Sequence, residues 1–90
     1  MPRLIITTHY KKRAEKFIKK HPDLTQRYLK TLQILELNPT HPSLRLHKLK
    51  GSLHDIYSVS INMSYRITLE FLIQDDIIIL VNIGSHDEVY

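Results

Sequence analysis

Ninety residues, 42% of them hydrophobic, make one domain over residues 1–90 with one modest core and leave no room for a second module. The lack of cysteine excludes disulfide staples and thiolate zinc sites. No stretch approaches the roughly 20 apolar residues of a membrane span, and Leu4-Ile5-Ile6 is too short for an export signal, so no membrane partner and a cytoplasmic location are expected. The net charge of +4 hides a division: residues 1–51 hold twelve of the thirteen Lys and Arg against three acidic residues, a net +9, and the rest carries −5, which points to a polyanion or an acidic protein as partner.

Arg3 to Thr8 reads as a short β-rich strand, after which the period becomes helical. Tyr10, Ala14, Phe17 and Ile18 recur at i, i+4, i+7 and i+8 with Lys and Arg between them, which makes one amphipathic helix with Thr8 as its cap. Pro22 pushes His21 out of the α region and ends that helix, and Pro22-Asp23 suits the first turn of a second helix running to about Asn38. Its stripe of Leu24, Tyr28, Leu32 and Leu35, widened by Leu29, Ile34 and Leu37, predicts the more buried helix of the two. Asn38-Pro39 stops it, and Pro42 keeps the following loop irregular.

From Asp55 the period is two. Tyr57, Val59 and Ile61 alternate with Ser58, Ser60 and Asn62, and Tyr65, Ile67, Leu69, Phe71 and Ile73 alternate with Arg66, Thr68 and Glu70. Asn62-Met63-Ser64 and Gln74-Asp75-Asp76 are breaks of hairpin length, so these strands and the run Ile77–Val81 form an antiparallel meander. The expected fold is α/β (α+β): a strand, two helices, then three strands, with both helices on one sheet face. The other face, carrying Ser58, Ser60, Arg66 and Thr68, should be an open, concave polar surface. The unbroken run Ile77–Val81 reads as a strand buried on both faces, and Gly84 followed by His86 just past its end sets an imidazole on a rigid mount.

No Walker loop, dinucleotide fingerprint, H-E-x-x-H helix or nucleophile elbow is present, so no cofactor is expected, and no metal, although histidine alone leaves metal binding open. What remains is His47 with Lys48 and Lys50 before Gly51, Arg66 on a polar strand face, His86 after the last strand, and Tyr90. RNA cleavage needs these types: a base for the 2′-hydroxyl proton, an acid for the leaving 5′-oxygen, and a cation for the charge gathering on phosphorus. Imidazoles as a class serve as acid and base near neutral pH, and an aromatic ring stacks an unpaired base. Lys11, Lys12, Lys16 and Lys19 on the first helix are candidate RNA contacts, with a solvated helix face as the alternative. Arg66 could instead pair with Glu70 along its strand, and His47 could be a solvated loop residue. His9, His21, His41 and His54 sit at turns or element ends and receive no role, and Tyr65 reads as packing.

The order of elements, Leu46-His47-Lys48-Leu49-Lys50-Gly51, the Tyr57 strand, Ser64-Tyr65-Arg66-Ile67 and the closing Gly84-Ser85-His86-Asp87-Glu88-Val89-Tyr90 together resemble the RelE/YafQ-type toxins of bacterial type II toxin–antitoxin systems. The resemblance implies a metal-independent ribonuclease that cuts messenger RNA in the ribosomal A site, is silenced by a cognate antitoxin, and meets operator DNA only through it. It also implies that His86 matches the catalytic histidine of the YafQ branch, His47 its second histidine, Tyr90 the terminal aromatic, and Arg66 the phosphate-stabilising arginine of the RelE branch. Two departures stand out. Ser58 and Ser60 occupy the positions of two RelE-branch lysines, and Ser58 and Ser64 those of YafQ-branch acidic residues; serine cannot act as a base near pH 7. The alternative reading is therefore a non-enzymatic binder, either a gyrase-directed toxin or a degenerate one that only binds antitoxin and operator DNA.

Overall fold

The computed structural model describes residues 2–49, 56–72 and 76–89. Strand β1 (Arg3–Ile6) leads into helix α1 (Thr8–Lys20), and a 3₁₀ turn at Pro22–Leu24 opens α2 (Thr25–Leu37). A second 3₁₀ turn at Pro42–Leu44 precedes the short β2 (His47–Lys48), followed by β3 (Ile56–Ser60), β4 (Tyr65–Leu72), β5 (Ile77–Ser85) and the four-residue α3 (His86–Val89). The five strands form one sheet in the order β1-β5-β4-β3-β2. The antiparallel meander β3-β4-β5 is as the periodicity predicts, and β1 adds to it in parallel against Ile77–Leu80 of β5.

The cap of α1 is Thr7 rather than Thr8: the Thr7 hydroxyl oxygen accepts from the Tyr10 N–H at 3.1 Å and donates to the Leu80 carbonyl at 3.2 Å. One side chain thus starts the helix and ties it to β5. The 3₁₀ turn takes up the Pro22-Asp23 start, because the Leu24 N–H returns to His21 O three residues back, so α2 begins at Thr25. Asn62 closes the β3–β4 turn by accepting from the Ser64 and Tyr65 N–H groups at 2.9 Å each.

One core joins Tyr10, Ala14 and Phe17 of α1, Tyr28 and Leu35 of α2, Leu44, and the sheet residues Val59, Ile61, Ile67, Leu69, Ile78, Leu80 and Ile83. Each fully buried Leu or Ile contributes roughly 1.5–3 kcal/mol. Inside it the Tyr10 and Tyr28 hydroxyls meet at 2.9 Å. Each helix buries three residues, Tyr10, Ala14 and Phe17 in α1 and Tyr28, Thr31 and Leu35 in α2, but the widened α2 stripe reaches outside the core, where Leu29 and Leu37 are 52% and 65% exposed. Thr31, which the stripe omits, is buried instead and satisfies its hydroxyl on Arg27 O at 2.8 Å.

The last strand departs from expectation twice. It continues past Val81 to Ser85, and only Ile78 and Leu80 of the apolar run are fully buried, while Ile77, Ile79 and Val81 are half-buried. A bulge at Val81 explains how Ile83 joins the same face: Thr68 pairs with Asn82 but the next residue, Leu69, pairs with Leu80, so one residue of β5 is left over. The polar face is not wholly open either. Ser58 is 0% and Thr68 2% exposed, and with β2 added beyond β3 Ser58 lies inside the sheet between His47 and Thr68.

Candidate active site

Arg66 stands on β4 directly opposite Gly84 of β5 and Ser60 of β3, half-buried. Among the described residues its guanidinium forms no ion pair and no side-chain hydrogen bond, and the pairing with Glu70 does not occur. Two residues beyond Gly84, His86 opens α3 with its side chain 66% exposed and Nδ1 3.6 Å from Asp87 Oδ1. An uncommitted cation and an exposed imidazole therefore share the open end of the β4–β5 pair.

That end is built by a capping box. Ser85 precedes α3, Glu88 is the third residue of the helix, and Glu88 Oε1 accepts from the Ser85 N–H at 2.9 Å. This bond, more than the neighbouring Arg13 and Lys20 charges, holds the Glu88 carboxyl below its ordinary 4.5. Gly84 fits closely beside it, since a Cβ there would lie 3.0 Å from Glu88 Cβ and Glu88 would have to shift. From α1, the Arg13 Nε donates to Asn82 Oδ1 at 3.1 Å while its terminal nitrogen lies 3.8 Å from Glu88 Oε2. Arg13, Lys16, Lys20 and His21 wall one side of a hollow of about 180 Å³ whose other side is Gly84 and Glu88.

His47 sits on β2, exposed, with Nδ1 3.3 Å from the Arg45 carbonyl. Its row across the sheet runs His47, Ser58, Thr68, Asn82, so the β2 and β5 backbones are three strand spacings, about 14 Å, apart. Arg66 is on the strand next to β5, between the two histidines. Of the three serines, Ser58 is buried, Ser60 donates back to Asn62 O at 2.7 Å, and Ser64 is exposed in the turn. Lys48 lies exposed beside His47, while Lys50, Gly51, His54 and Tyr90 fall outside the described residues.

The four candidate lysines of α1, Lys11, Lys12, Lys16 and Lys19, are all exposed but do not share one surface. Lys16 faces Gly84 and Glu88, whereas Lys11 and Lys19 flank a hollow of about 430 Å³ floored by Ile6, Ala14, Ile18 and Tyr28. Sequence reasoning passed over His21, which stacks on Tyr65 at 4.6 Å and Phe17 at 5.0 Å, and over Glu88, Arg13 and Lys20. Ser85-x-x-Glu88 was legible as a capping box; the convergence of Arg13 and Lys20 required knowing that α1 lies along the end of β5. Among the described residues no group of three or more His, Asp or Glu is gathered as metal ligands.

The family described as "ParE toxin of type II toxin-antitoxin system, parDE" matches residues 9–90. No curated protein matches the sequence. Among solved structures, a metal-bound toxin from Helicobacter pylori is 24% identical over 100% of both chains with a TM-score of 0.83. YafQ from E. coli strain BL21(DE3) is 12% identical over 100% of this chain and 99% of its own, with a TM-score of 0.80. A chain of the archaeal RelE–RelB complex from Pyrococcus horikoshii is 23% identical over 93% of each chain, with a TM-score of 0.71. The family match spans nearly the whole chain and the fold is that of these structures, so the chain belongs to the ParE toxin family of type II toxin–antitoxin systems.

Proposed function

We propose that this toxin is a ribosome-dependent messenger RNA endoribonuclease in which the 2′-hydroxyl attacks the adjacent phosphodiester and leaves a 2′,3′-cyclic phosphate. The observation that carries the reading is the Arg66 guanidinium, without an ion pair among the described residues, at the same end of the β4–β5 pair as the exposed His86. Arg66 is assigned the charge that develops on the phosphoryl oxygens, because a guanidinium offers paired donors to them. His86 is assigned one proton transfer and His47 the other, the substrate phosphate lying over Arg66 between them. Tyr90 is the candidate for stacking a base, and Lys48 and Lys50 for the strand near His47. A cognate antitoxin silences the protein, as the P. horikoshii toxin is paired with RelB. The apolar hollow along α1, with exposed Ile6 at its edge, is the face such a partner would cover.

Single-turnover cleavage of ribosome-bound message is the test. His86→Ala should lose at least ~10²-fold, since a general acid or base contributes ~10²–10⁴. Arg66→Ala should lose roughly 2.7–4 kcal/mol of transition-state stabilisation, like a removed oxyanion donor. Both should still bind antitoxin. The burial of Ser58 favours, as second reading, a binder without ribonuclease activity. Intact transcripts accompanied by DNA damage on induction would assign the chain to gyrase, and wild-type cleavage by His86→Ala would remove the histidine from the mechanism.

A further inference from the structure

We propose that a basic cleft between α2 and the β3–β4 turn, lined by Lys30, Arg27, Arg45 and Arg66, binds the phosphodiester backbone of single-stranded RNA on one side of the phosphate that is cut; this rests on the ribonuclease reading above.

Two adjoining hollows, of about 440 and 520 Å³, share Arg27, Ser43, Ser60 and Ile61 as a common wall. Lys30 lines the first, and Arg45 and Arg66 the second. Among the described residues no carboxylate lines either one. This contrasts with the basic cluster on α1, where Glu88 supplies a counter-charge to Arg13. Four cations facing one recess without an acid create a positive potential that an anion, and not a neutral ligand, relieves.

The arginines are held for this. Arg27 donates its Nε to the Ile61 carbonyl at 2.9 Å, which fixes the fork while leaving its terminal N–H groups for a ligand. Arg45 adopts φ 50°, a left-handed conformation that favours glycine. That reversal lets Leu44 enter the core, where it is 1% exposed, while the adjoining Arg45 side chain lines the recess. Three guanidiniums suit phosphate oxygens, which accept paired N–H donors. Among the described residues no aromatic ring lines either hollow, so the cleft grips backbone and reads no base. Arg66, at one end of it, is the residue shared with the candidate active site, and a strand leaving that site past Arg66 enters the cleft.

The test is fluorescence anisotropy of uncleavable 2′-O-methyl hexauridylate and hexaadenylate on the full chain, titrated across salt without ribosomes. Arg45→Gly suits the left-handed backbone and so keeps the fold; it should weaken binding about tenfold at 50 mM salt and lower the log–log salt slope by about 0.7. Lys30→Gln should do the same to a smaller extent, and both oligonucleotides should bind alike. Unchanged affinity and slope in both variants would overturn the proposal. So would hexaglutamate competing as well as RNA at equal charge, which would assign the cleft to an acidic protein segment. Because no cleavage is read, failure of the ribonuclease reading would appear separately, as intact ribosome-bound message with this titration unaffected.

Discussion

Glu88 accepts the Ser85 N–H at 2.9 Å and by that one bond sets the direction in which the chain leaves the sheet. A four-residue helix has no cooperative stability of its own. Its orientation rests on the box at its start and on Arg13, which reaches from α1 to Asn82 on one side and Glu88 on the other. His86 is the first residue of that helix, so what holds Glu88 also aims the imidazole.

Glu88→Gln should therefore cost no more than about 1 kcal/mol at pH 7, as for an exposed cap, yet reduce cleavage by loosening His86. Folding lowers the Glu88 pKa, so the carboxylate's contribution is fully present above its unfolded value of 4.5 and is lost as pH falls through the lower folded value. Thermal melts of wild type and Glu88→Gln should accordingly draw together as the pH falls below 4.5. A constant gap down to pH 3 would mean that the carboxylate charge plays no part.

Gly84→Ala places a methyl 3.0 Å from Glu88 Cβ and 3.2 Å from its carboxylate. Glu88 is on the surface and can move, so the expected loss is about 1 kcal/mol, the low end for overpacking. The loss should come mainly from displacing the Ser85 cap. In the double variant Gly84→Ala/Glu88→Ala the two losses should fall short of their sum, the signature of coupled neighbours. Strict additivity in denaturant melts would separate the glycine from the cap.

The meander and the mount for His86 were readable because β3 and β4 alternate strictly and a short apolar run follows them. The run itself concealed its faces: with Ile or Leu at every position from 77 to 80, nothing in the sequence marks Ile78 and Leu80 as inward and Ile77 and Ile79 as half-exposed. Simple alternation from Leu80 would have turned Ile83 outward, and the Val81 bulge reverses this by a feature of pairing alone. Ser58 misled for a related reason. Its polarity suggested an open face, but the two-residue strand at His47–Lys48 carries no pattern long enough to announce that β3 is an inner strand. The arginine cleft depends on which loop meets which helix, so Arg27 and Arg45, eighteen positions apart, gave no joint signal.

The buried tyrosine pair makes an alkaline prediction. Burial raises the Tyr10 pKa, with the Tyr28 hydrogen bond adding to it, and burial raises that of Tyr28 as well. Both phenols ionise later in the folded chain than in the unfolded one, so stability is full below the ordinary value of 10 and is lost as pH rises beyond it. Tyr28→Phe should cost about 1–3 kcal/mol by leaving the Tyr10 hydroxyl without its partner, and Tyr10→Phe/Tyr28→Phe should cost less than the two single losses combined. The double variant should also resist unfolding between pH 10 and 11 better than wild type relative to its own stability at pH 7, as measured by circular dichroism.

The division of the α1 lysines between two surfaces predicts two separable phenotypes. Lys16 and Lys20 face Gly84 and Glu88 at the end of the sheet that carries His86, so neutralising both should weaken ribosome or RNA binding and lower the salt slope by about 0.7 for each phosphate that is no longer neutralised. Lys11 and Lys19 flank the apolar hollow on the other side of α1, away from that end. Lys11→Gln/Lys19→Gln should leave the RNA salt slope nearly unchanged and weaken antitoxin binding instead, chiefly through a slower, more salt-sensitive association, because charges at the rim of an apolar patch steer encounter more than they hold the complex. Paired titrations of each double variant against RNA and against antitoxin decide the matter. If both variants lowered the RNA slope equally, α1 would present one continuous polyanion surface, and the apolar hollow would lie within the RNA footprint rather than under a protein partner.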